Sequence, residues 1–269
     1  MRTRNPAVAG MFYDSGKERL SKTLEKLFSG TKQGNNAAVI SPHAGYVYSG
    51  RTAAHAAASL KPSGKFIIMG PNHSSMGNRF SIMAEGEWIT PLGPARIDSG
   101  IAKDLLRCDL ISEDALAHVR EHSVEVQLPF LQHIFTRFEF VPLCVQNLEY
   151  SEGFLGECIK IGETIASAMK SHDARLIASS DFSHYLPKEV AEKKDSAAIE
   201  MIKKGDVNGF FRVLEKNDAS VCGFGPIAIL MSAMKKLGFS KCEVINHTTS
   251  GDVTGDDSSV VAYYAIGFR

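Results

Sequence analysis

Short runs of apolar and β-branched residues alternate with longer amphipathic stretches through this sequence, and that alternation constrains its fold more than any other feature. The short runs read as strands at residues 37–41, 65–70, 138–145, 175–179, 243–247 and 259–268. The stretches between them read as helices. Residues 52–60 are Ala-rich, and 152–170 sets Leu155, Ile159, Ile165 and Met169 at helical intervals; 189–204, 207–216 and 226–236 follow. Such a succession predicts an α/β fold, a mixed and largely parallel central sheet flanked by helices. Residues 80–98 break the pattern, with Gly86, Pro91, Gly93 and Pro94 between short apolar pieces, as expected of small antiparallel strands or a hairpin. No linker, repeat or low-complexity segment interrupts the chain, so residues 1–269 are expected to form a single domain.

The composition narrows the function by exclusion. A hydrophobic share of 44% with 22% charged residues is ordinary for a globular chain and ample for a core. Thirty basic and thirty acidic residues cancel, which argues against the basic footprint of a nucleic-acid binder. No apolar run approaches the roughly 18–20 residues of a membrane span, and residues 1–10 lack the apolar core of a secretory signal. Cys108, Cys144, Cys158, Cys222 and Cys242 are odd in number and form no CxxC pair. Reduced thiols in a cytoplasmic protein are the expectation.

Polar residues gather immediately after the strands. The first runs into Pro42-His43-Ala44-Gly45-Tyr46, the second into Pro71-Asn72-His73-Ser74, and the strand ending at Ser179 into Ser180-Asp181-Phe182-Ser183-His184-Tyr185. In open α/β sheets the loops at the carboxyl ends of strands converge over one crevice, so three such loops bearing His or Asp suggest one shared site. Cys222 lies in Val221-Cys222-Gly223-Phe224-Gly225-Pro226, just ahead of a helix. The helix N-terminus is expected to lower its pKa and favour thiolate, both a nucleophile and a ligand for soft or borderline metals.

Each residue alone has a duller reading. A histidine after a strand is more often a hydrogen-bonded structural residue, and Asp181 can merely cap a turn. Cys108, Cys144, Cys158 and Cys242 read as buried filler, and His55, His118, His133 and His172 as packing or solvated residues. The joint placement of His43, His73, Asp181, His184 and Cys222 is what favours a site. His122 and Glu125, three residues apart, would share one face of a helix and could orient a ligand by hydrogen bonding. The plainer alternative is a helix start capped by Ser123, with Gln127 on the surface.

These loops resemble those of the Memo (mediator of cell motility) family. The resemblance rests on Pro6-Ala7-Val8-Ala9-Gly10-Met11-Phe12-Tyr13, Ser41 to Tyr46 with Tyr48-Ser49-Gly50, Gly70-Pro71-Asn72-His73, Glu121-His122-Ser123 with Gln127-Leu128-Pro129, Ser179 to His184, Cys222-Gly223 with Pro226-Ile227, and Asp257-Ser258-Ser259-Val260. These pieces fall in order across almost the whole chain. The family is itself similar to class III extradiol dioxygenases, non-haem iron enzymes that open catechol rings with dioxygen on an α/β core. The resemblance implies that His43, His73 and Cys222 are the metal ligands. It likewise implies that His184 takes the position of the catalytic histidine, with Asp181 nearby. A thiol where the dioxygenases have a carboxylate shifts the preference of the site toward zinc, copper or a differently tuned iron, so ring cleavage does not carry over.

Three functions follow as expectations. The first is iron- or copper-dependent redox chemistry on a small molecule, with His184 as general acid or base. The second is a non-catalytic adaptor that binds a peptide or phosphopeptide in the same pocket. The third is hydrolysis at zinc. Microbial relatives are associated with a radical-SAM protein and its small companion domain, which the resemblance implies as possible partners. Tyr46 and Tyr48 would line either a pocket or an interface.

Overall fold

The central strands are apolar on both faces because helices cover both. In the computed structural model, which describes residues 2–147 and 149–269, the strands in chain order are β1 (Thr3–Arg4), β2 (Ala38–Ser41), β3 (Lys65–Pro71), β4 (Phe80–Ile82), β5 (Glu87–Thr90), β6 (Gly93–Ile97), β7 (Ser112–Glu113), β8 (Glu139–Val145), β9 (Arg175–Ser179), β10 (His184–Leu186), β11 (Cys242–Thr249) and β12 (Val260–Phe268). The helices are α1 (Lys17–Leu27), α2 (Tyr46–Ser59), α3 (Ser99–Leu105), α4 (Leu128–Ile134), α5 (Glu152–His172), α6 (Lys188–Lys204), α7 (Val207–Asn217), α8 (Phe224–Lys236) and α9 (Gly251–Thr254).

β6, β8, β3, β9 and β2 run parallel as neighbours through the middle of the sheet. β12 lies antiparallel to β2 and carries β11 and β10 on its own antiparallel ladders. The Gly- and Pro-rich piece supplies β4, antiparallel to β8, and the β5–β6 hairpin. The sheet is thus the mixed, largely parallel one that the alternation predicts. Along β3, Ile67 and Met69 enter one core with Phe154, Ile161 and Ile229, while Phe66 and Ile68 enter the other with Trp88, Leu128 and Leu131. Burial on both faces is why β2, β3, β8 and β9 read as continuous apolar runs, and each such Ile or Phe contributes roughly 1.5–3 kcal/mol.

α2 begins at Tyr46, six residues ahead of the expected start. Gly50 disguises that first turn in the sequence, yet its role is packing: a Cβ there would meet Leu27 Cδ1 of α1 at 2.8 Å. The Ala-rich stretch is buried on two sides: Ala56 joins the sheet-side core with Val39 and Ala265, while Ala53, Ala54 and Ala57 join the cluster of Leu20 and Leu24 of α1 and Phe130 of α4. Among the described residues, no helix is long and apolar enough to cross a membrane.

Asp195 on α6 is fully buried and accepts hydrogen bonds from Ser183 Oγ (2.7 Å) and Ser183 N (3.2 Å). Burial pushes its carboxyl up to about 7, against the pull of the Ser183 donors. A carboxyl raised in the folded state binds more protons there than in the unfolded chain. Its contribution is therefore complete below the ordinary carboxylate range and is lost as pH rises toward 7. Asp195→Asn removes that loss. Thermal unfolding between pH 5 and pH 8 is expected to destabilise the wild type more than the variant, by up to about 1.4 kcal/mol per pH unit. Equal slopes for the two proteins would refute this assignment.

Candidate metal centre

Because β2, β3 and β9 are parallel and in register, with Ser41 opposite Ser179 and Met69 opposite Ala178, they end along one edge. The segments that leave them carry His43, His73 and Asp181 to the same place. His43 is 3% exposed. Its Nδ1 lies 3.0 Å from Ser179 Oγ, its Nε2 lies 3.3 Å from Cys222 Sγ, and its backbone N–H donates to Asp181 Oδ1 at 2.8 Å. His73 stands at the open rim. Its Nδ1 faces Glu121 Oε1 at 3.0 Å, and its backbone N–H donates to Glu121 Oε2 at 2.5 Å. A carboxylate facing Nδ1 makes that nitrogen the donor and leaves Nε2 free.

Cys222 arrives from the loop before α8. Asn147 holds this loop by donating to the Cys222 carbonyl and accepting from Gly225 N at 3.1 Å. Gly223 presses the loop against β9: a Cβ there would lie 2.6 Å from the Ser179 carbonyl oxygen and 2.5 Å from Ser180 Cβ. Only glycine permits that approach. The thiol accepts from Asp181 N at 3.2 Å. The potential ligand atoms of His43, His73 and Cys222 lie within 4.8 Å of one another. Ligands of one tetrahedral ion at zinc-like bond lengths stand roughly 3.5 Å apart, so the 3.3 Å between His43 Nε2 and Cys222 Sγ fits a shared ion. The donor set of two imidazoles and a thiol suits zinc, copper or iron.

The expected lowering of the Cys222 pKa does not occur. Burial pushes the thiol above its ordinary range and Asp181 adds to the effect, outweighing the Asp181 N–H and Ser180 contacts. The helix cap is Gly223, so Cys222 stands outside the first turn whose dipole was to act on it. Burial, reinforced by His122 and His73, holds His43 well below the usual histidine range and so neutral. Burial also opposes charge on His73, but the Glu121 hydrogen bond and carboxylate outweigh it and raise this histidine. Asp181 is pushed up to about 7 by burial, against the pull of the His43 N–H.

His184 is half-buried at the start of β10. Its Nδ1 faces the Ser220 carbonyl at 2.7 Å, which only accepts, so Nε2 is again the free nitrogen. Burial lowers its pKa, and proximity to His73 adds to that. The ring of His122 stacks on His73 with centroids 4.8 Å apart and lies 5.5 Å from His43 and 4.7 Å from Phe12. Glu125 is occupied with other partners. Residues 123–124 form a turn, with Val126 N donating to the His122 carbonyl at 3.0 Å, and a short 3-10 helix begins at Glu125, so His122 lies ahead of that helix rather than on one of its faces. The buried Glu125 carboxylate instead takes Arg4, Tyr13 Oη and the backbone N–H groups of Ala7 and Val8. Besides Asp181, the carboxylate next to the metal-ligand candidates is Glu121, which also accepts from His122 N and Ser123 N. Its signals in the sequence were adjacency to His122 and its place in the Glu121-His122-Ser123 piece that carries the resemblance. Gln127 is 3% exposed rather than on the surface.

The profile of the Memo-like protein family matches residues 4–267. A MEMO1 family protein of Methanopyrus kandleri is 41% identical over 284 residues, covering 99% of each chain. Another, from Sulfurisphaera tokodaii, is 42% identical over 285 residues, covering 98% of this chain and 99% of its own. Among solved structures, an uncharacterized protein of Escherichia coli K12 superposes with a TM-score of 0.60 at 12% identity, covering 85% of this chain and 98% of that one, which speaks for the fold alone. By the match along almost its whole length, the chain belongs to the Memo-like protein family.

Proposed function

We propose that the chain holds one iron or copper ion through His43, His73 and Cys222 and performs redox chemistry on a small molecule in the crevice beside them. The observation that carries this reading is the 3.3 Å approach of His43 Nε2 to Cys222 Sγ, with a His73 ligand atom in the same cluster. The ion, when bound, supplies electron transfer and Lewis acidity. Glu121 fixes the ring of His73, and the Asp181 carboxylate fixes the loop of His43. His184 is neutral near pH 7, because its pKa is lowered, and keeps Nε2 free to accept a proton.

Anaerobic loading with Fe(II) or Cu(I), followed by elemental analysis and oxygen uptake against phenols and reductants, tests the reading. Stoichiometric zinc with no redox turnover would favour hydrolysis instead. Peptide binding that survives chelation and Cys222→Ala would favour the adaptor.

Because the Cys222 thiol is held protonated, metal binding must expel that proton. Apparent affinity is expected to rise at least about tenfold per pH unit near neutrality. The slope should approach two protons at lower pH, where the raised His73 is also charged. His43, already neutral, adds none. Competition titrations at several pH values read this slope, and a pH-independent affinity would contradict it.

A further inference from the structure

We infer that Gln127 is a positioning residue that fixes the tautomer of His43 through Ser179, and so aims a lone pair at the metal site. The inference rests on the metal-centre reading for its purpose but not for its geometry. The Ser179 hydroxyl has one hydrogen and two lone pairs. It donates to the Ser123 carbonyl at 2.7 Å, and a carbonyl can only accept. That uses the hydrogen. Gln127 Nε2 lies 2.8 Å from Ser179 Oγ and 2.9 Å from the Pro42 carbonyl. The Pro42 carbonyl makes Nε2 the donor end of the amide, which settles the orientation that a side-chain amide otherwise leaves open. Gln127 Oε1 accepts from Ser41 Oγ at 2.9 Å, in keeping with that orientation.

Gln127 therefore fills one lone pair of Ser179. His43 Nδ1, at 3.0 Å, meets the other and must bring the hydrogen itself. The proton sits on Nδ1, and Nε2 presents a lone pair toward Cys222 Sγ at 3.3 Å. Glu121 imposes the same tautomer on His73, and the Ser220 carbonyl imposes it on His184. His43 differs because its partner is a hydroxyl, which could donate as readily as accept. Only the neighbours of that hydroxyl decide. Ser41, Ser123, Ser179, Gln127 and His43 are all 3% exposed or less, so water does not compete for these bonds.

Without Gln127, the Ser179 oxygen is no longer held in line with the Ser123 carbonyl, and its hydroxyl is free to turn toward His43 Nδ1. The alternative tautomer then becomes accessible, with its hydrogen on Nε2 facing the thiol. Gln127→Met keeps the length of the side chain and removes both polar ends. The test is nitrogen-15 NMR of the imidazoles in metal-free protein, with His43 assigned by its loss in His43→Ala, beside Zn²⁺ competition titrations. The wild type is expected to show Nδ1–H alone. Gln127→Met is expected to show a mixture of tautomers and a Zn²⁺ affinity roughly 10- to 100-fold weaker, the usual cost of losing support behind a ligand. An Nε2–H tautomer of His43 in the wild type overturns the inference, whether or not the variant folds. An unchanged tautomer in Gln127→Met also overturns it, even if affinity drops, since the Ser123 carbonyl would then suffice. If the tautomers behave as expected but the wild type binds no Zn²⁺, the metal-centre reading fails and the assignment of Gln127 stands.

Discussion

Replacing Cys222 by serine is expected to remove most of the affinity for copper or iron while leaving the fold in place. Serine fills nearly the same volume, and the loop that presents residue 222 is held by groups the substitution does not touch. Asn147 still clasps the backbone on either side, and Gly223 N still donates to Ser180 Oγ at 2.9 Å. The change in stability should stay within about 1–3 kcal/mol, since volume is conserved and the new hydroxyl inherits the Asp181 N–H as a partner. The ligand loss is a different order of effect. A hydroxyl is a harder and far less acidic donor than a thiol. Losing mere support behind a ligand costs roughly 10- to 100-fold, so losing the thiol itself should exceed about 100-fold. Competition against a chromophoric Cu(I) chelator measures this directly, with thermal unfolding as the control. A Cys222→Ser protein that binds like the wild type would remove Cys222 from the ligand set. His43→Ala should lose affinity and stability together, because it also opens a cavity and deprives Ser179 of its Nδ1 partner.

What was legible in the sequence was whatever depends on chain order and periodicity. Parallel strands end at one edge, so His43, His73 and Asp181 could be brought together from their positions after β2, β3 and β9. What was not legible depends on backbone conformation at single residues and on partners far away in the chain. His122 and Glu125 are three residues apart, but a pairing across i and i+3 on one face requires a helix that holds both, and the helix begins only at Glu125. Glu121 acquires its place from the backbone N–H of His73, and no local pattern announces that contact. Gln127, a polar residue ahead of a short helix, reads as surface until Pro42, Ser41 and Ser179 close around it. The Cys222 pKa went the other way because burial, reinforced by Asp181, outweighs the donors around the thiol, and that burial depends on segments far away in the chain.

Glu125→Ala should be among the most destabilising single substitutions in the chain, and for a reason unconnected with metal. Its carboxylate is fully buried and receives the Arg4 guanidinium, Tyr13 Oη at 2.5 Å, Ala7 N at 2.7 Å and Val8 N at 3.1 Å. Arg4 is itself 6% exposed, donates to the carbonyls of His118 and Glu121, and lies 4.3 Å above the Trp88 ring. Alanine leaves that cation buried without its counter-charge, which costs about 3–5 kcal/mol. For a chain of 269 residues this corresponds to a fall in Tm on the order of 10 °C. It also frees the segment from Arg4 to Tyr13, whose Phe12 ring packs on His122 and whose Phe12 carbonyl accepts from Tyr46 N at 2.7 Å. Removing both charges at once, Arg4→Met with Glu125→Leu, should recover part of the loss, because an apolar pair leaves no orphaned ion. Metal affinity of the folded Glu125→Ala protein should fall far less than that of Cys222→Ser. If it falls as far in protein that still unfolds cooperatively, Glu125 acts on the metal centre after all. The buried pair with Arg4 would then be only part of its role.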